Sequence, residues 1–479
     1  MPQPGFRLAV VLTTLLATVG AAAQSAQPWL ADRANTSGIG IRAGDLEFHV
    51  GASADTGYDS NFFRGAGEGD GSPEDNDVDE PVVPTFRVRV SPFFSLSTLS
   101  PQRRGLLPGQ QSGADASKVA FSSRAALRYS TMWALDSNAG EEVTDAVNGR
   151  QLLGGEFVAN LNMLPQMPLG ADLTLGFNRL VQPNNDPGQL QNAFDRNIVA
   201  GRFDIRWRPG GGVLAWKFGY QGALTLYDET AFGLNRISHG LIVNGRWLFL
   251  PRTALLFEAS AGWTTHLQNA TRQVDSVPIA SQLGVNGLIT PRLGLLVMAG
   301  WKALFFDSGQ DFDGFVGRAE ATWYLGGKAP QPGATQSQAD SVGLSFIRVG
   351  YQRDAENSGL GNFFENNRLY AESSAFLSGI VKLSLRGGLS FVHHPTPLDG
   401  EGDELALGGG SLNEVRPFIR FNGEYRLNDI AAVIGNAGWN ASLNDNFIIL
   451  QDADDNQPRA LDNLRFNQFS AFLGVRIAL

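Results

Sequence analysis

The sequence predicts an all-β chain: a transmembrane, antiparallel, up-and-down β-barrel of about 18 strands behind an N-terminal signal peptide. Three observations carry that expectation. Apolar and polar residues alternate with period 2 from Leu46 to the C-terminus. The connectors between alternating segments are long and short in turn. Apart from Trp29, the tryptophans gather at two levels on one face.

The alternation is plainest in the final stretch, Asn463–Leu479. Phe469, Ala471, Leu473, Val475, Ile477 and Leu479 fall on one face, and Ser470, Phe472, Gly474, Arg476 and Ala478 on the other. Period 2 defines a strand, and this run exceeds the usual strand of about 5–6 residues. A long strand with one apolar face at the C-terminus resembles the closing strand of bacterial outer-membrane barrels. That strand commonly ends in Phe, and Leu479 departs from the pattern.

Composition narrows the alternatives. The chain has 479 residues, 43% of them hydrophobic, with 57 Gly and no Cys. Outside the N-terminus no apolar run reaches the roughly 18 residues a membrane helix needs. The lack of Cys excludes disulfides, thiolate metal sites and cysteine nucleophiles, and suits export through an oxidising periplasm. A net charge of −10 argues against nucleic acid as a partner.

Taken in order, residues 1–23 read as a signal peptide. Arg7 precedes the apolar run Leu8–Val19, and Ala21-Ala22-Ala23 supplies small residues for cleavage after Ala23, with Ala26 as the alternative. A short periplasmic tail, 24–44, leads into the barrel, 45–479. Its strands are expected at Leu46–Ala54, Pro84–Thr98, Val119–Trp133, Leu153–Met163, Leu169–Phe177, Val199–Trp207, Leu214–Leu226, Ile237–Phe249 and Leu255–Thr265. The second half continues with Ile279–Ile289, Leu293–Phe305, Phe315–Leu325, Val342–Tyr351, Leu369–Leu377, Val381–His393, Val415–Leu427, Ile430–Ala441 and the terminal strand.

Short connectors such as Pro165–Pro168, Pro251–Thr253 and Asn428–Asp429 alternate with long ones such as Asp59–Val83, Val181–Asn197 and Ser442–Asp462. Short periplasmic turns and long outer loops are the pattern of an outer-membrane barrel. Two connectors, Pro101–Ser117 and Gly326–Ser341, are long where that pattern asks for short ones. Trp133, Trp263, Trp301 and Trp439 sit toward the long loops, and Trp207, Trp216, Trp247 and Trp323 toward the short turns. All eight fall on the outward face, which makes them candidates for two aromatic girdles facing lipid.

The inward face is polar and rich in cations. Its basic candidates are Arg87, Arg89, Arg124, Arg128, Arg202, Arg206, Arg246, Arg318, Arg348, Arg416, Arg420 and Arg476, joined by Arg208, Lys217, Lys382, Arg386 and Arg426. Against them stand Glu156, Asp172, Asp204, Glu258, Glu320, Glu372 and Glu424. Unpaired wall cations would favour anionic or polar solutes. Cations paired with wall carboxylates, such as Arg318 with Glu320 or Arg426 with Glu424, would hold the barrel's shape instead. The sequence leaves both open.

Nothing in the chain points to catalysis, a metal or a cofactor. The acidic loop between Glu68 and Glu80 and the group Asp452, Asp454 and Asp455 lack the spacing of an ordered calcium loop. His49, His239, His266, His393 and His394 show neither metal-ligand nor triad spacing.

At the top of the first strand, Tyr58-Asp59-Ser60-Asn61 and the following Phe62-Phe63 resemble the YDSN-type motif of outer-membrane β-barrel porins of the BBP2-like family; Asn362-Phe363-Phe364 echoes it. Asp59, Ser60 and Asn61 are turn formers, and the Phe pair could fold over the lumen mouth. The resemblance implies passage or export of a secreted polysaccharide across the outer membrane, with periplasmic export components as partners beside the lipid. Lumen-facing rings would support that reading, with Phe472 and Tyr324 as candidates. The alternatives are a general or anion-preferring diffusion porin, with Asp59–Val83 as a constriction loop, and a non-conducting scaffold of a surface-motility or adhesion complex.

Overall fold

The computed structural model describes residues 40–62, 64, 82–98, 118–135, 147–165, 167–181, 195–228, 235–267, 274–325, 345–358, 360–377, 380–395, 410–451 and 458–479. The signal-peptide stretch, the connectors 101–117 and 326–341 and both acidic loop groups lie outside these residues.

A three-residue strand, β1 (Ile41–Ala43), precedes β2 (Leu46–Asp59), β3 (Thr85–Thr98), β4 (Val119–Ala134), β5 (Gln151–Met163), β6 (Leu169–Val181), β7 (Asp195–Trp207) and β8 (Leu214–Tyr227). Then come β9 (Arg236–Leu250), β10 (Thr253–His266), β11 (Ser276–Thr290), β12 (Leu293–Phe306), β13 (Phe312–Tyr324), β14 (Phe346–Asn357) and β15 (Phe363–Leu377). The last group is β16 (Val381–His394), β17 (Leu412–Arg426), β18 (Ala431–Ser442), the hairpin β19 (Phe447–Gln451) and β20 (Pro458–Asn463), and β21 (Phe466–Ala478).

Each strand from β2 to β18 pairs antiparallel with the next, and β21 pairs with both β18 and β2. The result is a closed antiparallel barrel of 18 strands. Closure satisfies every edge, which a sheet crossing lipid requires. All 18 expected strands are present, and they differ from the expectation at their ends. The first strand runs on to Asp59, so Asp59 belongs to the ladder, opposite Thr85 and Ser470, and not to a turn. The expected tail contains β1, paired with the start of β2. The expected loop Ser442–Asp462 carries the β19–β20 ladder. The turn between β12 and β13 shrinks to residues 307–311.

Alternation sorts the side chains cleanly. One face exposes large apolar groups along the barrel strands other than β18, from Tyr58 and Phe86 through Ile289 and Phe315 to Leu473 and Ile477. Leu473 is 65% exposed and Phe315 61%, values that ordinary water would penalise and lipid would not. The opposite face carries most of the charges. Arg318 of β13 reaches Glu258 of β10 at 2.9 Å, and Asn357 of β14 reaches Ser276 of β11 at 2.7 Å. Side chains that meet across intervening strands converge, so this is the concave, inner face.

Candidate functional site

The indoles lie on the outer face at two levels set by register. Trp207 opposes Trp216, Trp247 opposes Leu214, and Trp323 opposes Leu293, all beside the short turns. At the other end Trp133 opposes Phe86, Trp263 opposes His239, Trp301 opposes Phe315 and Trp439 opposes Phe469. There the apolar belt gives way to polar outward residues. Trp439 Nε1 donates to Asn467 Oδ1 at 2.8 Å, and Trp301 Nε1 donates to Asp313. An indole with its ring in an apolar belt and its N–H on a polar partner fits a membrane–water boundary.

Inside, most of the basic residues are held by carboxylates on the same strand or on strands close by. Glu156 binds Arg128 at 2.7 Å and lies 3.7 Å from Arg124. Asp172 takes Arg206 at 2.9 Å and Lys217 at 3.4 Å, while Asp204 takes Arg202 at 2.9 Å. Arg348 sits between Glu320 (3.7 Å) and Glu372 (3.6 Å). Glu424 holds Arg476 at 2.6 Å and Arg426 at 3.0 Å. Arg246 donates to the turn carbonyl of Gly212, and Arg89 pairs with Asp55. One expected pair is redrawn: Arg318 meets Glu258 and not Glu320, because register places Glu258 within reach and Glu320 beside Arg348.

The loop-side mouth is packed. Asp59 accepts from Gln468 Nε2 (2.9 Å), from the Asn61 amide (3.2 Å) and from Arg87 Nη1 (3.3 Å); Arg87 also reaches Ser130. Ser60 exchanges two bonds with Phe469, its amide donating to the Phe469 carbonyl and its Oγ accepting from the Phe469 amide, both at 2.8 Å. The motif thus stitches β2 to β21, the joint at which the barrel closes. Phe62 turns inward, under the Arg87 guanidinium 4.6 Å from its ring, and packs with Val83, Met132, Val147, Leu152 and Val181. Its echo behaves similarly: Phe363 packs with Leu304, Phe312, Val316 and Ala355, while Asn362 Nδ2 ties the facing turn through the Ser308 and Gln310 carbonyls.

Between these clusters lies a buried polar group no motif announced. Glu414 accepts from His394 Nε2 (2.9 Å), Arg416 Nη2 (2.6 Å) and Ser442 Oγ (3.0 Å). Arg416 and Arg64 flank the Phe466 ring at 5.9 and 5.4 Å, linking this group to the Asp59 cluster.

The two rings expected to face the lumen are covered. Phe472 is 6% exposed: Gly57 leaves room for its ring (a Cβ there would stand 2.6 Å away), and Arg89 lies 3.6 Å over it. Tyr324 is buried at the end of β13. Inward rings that are only half-buried include Phe93 beside Arg124, Phe418 between Arg368 and Arg420, and Tyr370 opposite Gly388.

A closed antiparallel barrel with an apolar outer belt, two indole levels and a charged interior is a membrane-spanning β-barrel. Comparisons add context. The chain is similar to OccK7 (OpdD) of Pseudomonas aeruginosa at 12% identity, covering 91% of this chain and 98% of that one, with a TM-score of 0.41. OccAB4 of Acinetobacter baumannii matches at 10% identity over 91% and 99%, with a TM-score of 0.40. The outer-membrane expressed OmpT of Vibrio cholerae matches at 7% over 92% and 100%, with a TM-score of 0.33. No protein-family model matches the chain, and no curated protein does.

Proposed function

We propose that the chain is an integral outer-membrane channel through which small hydrophilic solutes diffuse passively. The observation that carries this reading is the inner wall of the 18-strand barrel. It is lined by ion pairs and polar side chains where a barrel of about this size leaves an aqueous channel rather than a packed core. Its outer partner is lipid, met by the apolar belt and the two indole levels. The paired wall cations support a shape-holding role for most of the arginines and, at most, mild anion preference.

Export of a secreted polysaccharide, with periplasmic components, is the second reading. Phe93 and Phe418 favour it, since each presents a half-buried ring on the inner wall beside an arginine. Swelling of proteoliposomes in neutral sugars of rising size separates the two. The diffusion reading predicts swelling with monosaccharides and a steep fall by tri- to tetrasaccharides. Entry of much longer oligosaccharides would replace it with the export reading. No swelling with any sugar would contradict both and leave a non-conducting scaffold.

A further inference from the structure

On the inner wall formed by β15, β16 and β17 the charge compensation lapses. Arg386 of β16 and Arg420 of β17 are register partners, both exposed, and neither makes an ion pair among the described residues. Glu372, opposite Arg386 on its other side, lies 3.6 Å from Arg348. Gly438, opposite Arg420 on its other side, carries no charge. Like charges directly opposed across a ladder are unfavourable, so the pair runs against the rule kept over most of this wall.

An aromatic ring stands next to the pair. Phe418, two residues before Arg420 on the same face, lies over Gly388, where a Cβ would stand 2.8 Å from the ring. The guanidinium of Arg420 is 5.9 Å from its centre and that of Arg368 is 5.5 Å. A side chain at position 388 would push the ring away, so the glycine holds it against the wall beside the arginines.

We propose that Arg386, Arg420 and Phe418 form an anion subsite for a carboxylate carried on a sugar ring. The planar guanidiniums match a carboxylate by paired N–H···O bonds, and an anion lying between the two offsets their mutual repulsion. The Phe418 ring offers an apolar face to the C–H side of a pyranose, which a bare inorganic anion would not use. The proposal deepens the channel reading and rests on it. The same chemistry could come from a free sugar acid or from a uronate unit of a polymer.

The test titrates galacturonate, and separately a long oligogalacturonate, into the full-length barrel in detergent by calorimetry. Glucose serves as the neutral control, and bilayer conductance is recorded on the same preparation. The expected result is binding of galacturonate but not glucose, weakened at least tenfold in R386Q/R420Q and severalfold in Phe418→Leu. Arg179→Gln, which removes one positive charge, paired with Asp228 on the outer face, should leave it unchanged. Binding of the oligomer alone, lost in the same variants, would keep the subsite and assign it to a polymer. Binding of neither, or binding that R386Q/R420Q leaves intact, would overturn the subsite. A barrel that binds galacturonate yet never conducts would sink the channel reading and not the subsite.

Discussion

Asp59→Ala is expected to lower the stability of the barrel by about 3–5 kcal/mol, the range for breaking one partner out of a buried ion pair. Asp59 is 3% exposed, and its carboxylate serves three donors from three directions: Arg87 of β3, Gln468 of β21 and the Asn61 amide. Alanine would leave the Arg87 guanidinium, whose side chain is 4% exposed, without its paired carboxylate in a region water barely enters. The loss would fall at the joint between the first and last barrel strands. Asn at this position keeps an acceptor and should cost less than Ala. The check is the temperature at which the folded form converts to the unfolded form on an unboiled denaturing gel. A conversion temperature equal to that of the parent would refute the clasp.

The second large effect is expected at Glu414. Its side chain is fully buried, and removing it in Glu414→Ala strands three donors together: His394, Arg416 and Ser442. The cost should again reach several kcal/mol, since Arg416, only 11% exposed, would lose a carboxylate at 2.6 Å in a place water barely reaches. Arg465→Gln gives the contrast within the adjoining connector. Arg465 and Asp445 are both more than half exposed, so losing their pair should change stability by less than about 1 kcal/mol. Unfolding in guanidinium from detergent micelles would read both. Equal midpoints for the two variants would contradict the assignment of the Glu414 group as a structural knot.

These two clusters show where sequence reasoning stops. The strands were legible because an apolar outer face and a polar inner face enforce period 2 along each of them, and Leu473, Val475 and Ile477 display it without reference to any neighbour. Strand ends were less so. Asp59 reads as a turn former, yet its carboxylate is claimed by Arg87 and Gln468, and the ladder continues through it. The choice of carboxylate for each arginine was not legible at all. Arg318 has Glu320 two residues away and pairs with Glu258, which is 60 positions distant, because register alone decides reach across a curved wall. Burial at the mouth was hidden for the same reason. Phe472 and Tyr324 fall on the inner face, and only the folded barrel shows Arg89 and Gly57 closing over the first of them. The open pair, Arg386 with Arg420, emerges only after every other partnership has been drawn.

A water-filled path through this barrel would show itself in single-channel recording in planar bilayers. Purified full-length protein should insert and give stable steps whose conductance rises with salt concentration, with weak preference for chloride over potassium that R386Q/R420Q reduces. A barrel that is folded by its gel shift, inserts, and stays silent across the voltage range would contradict the account.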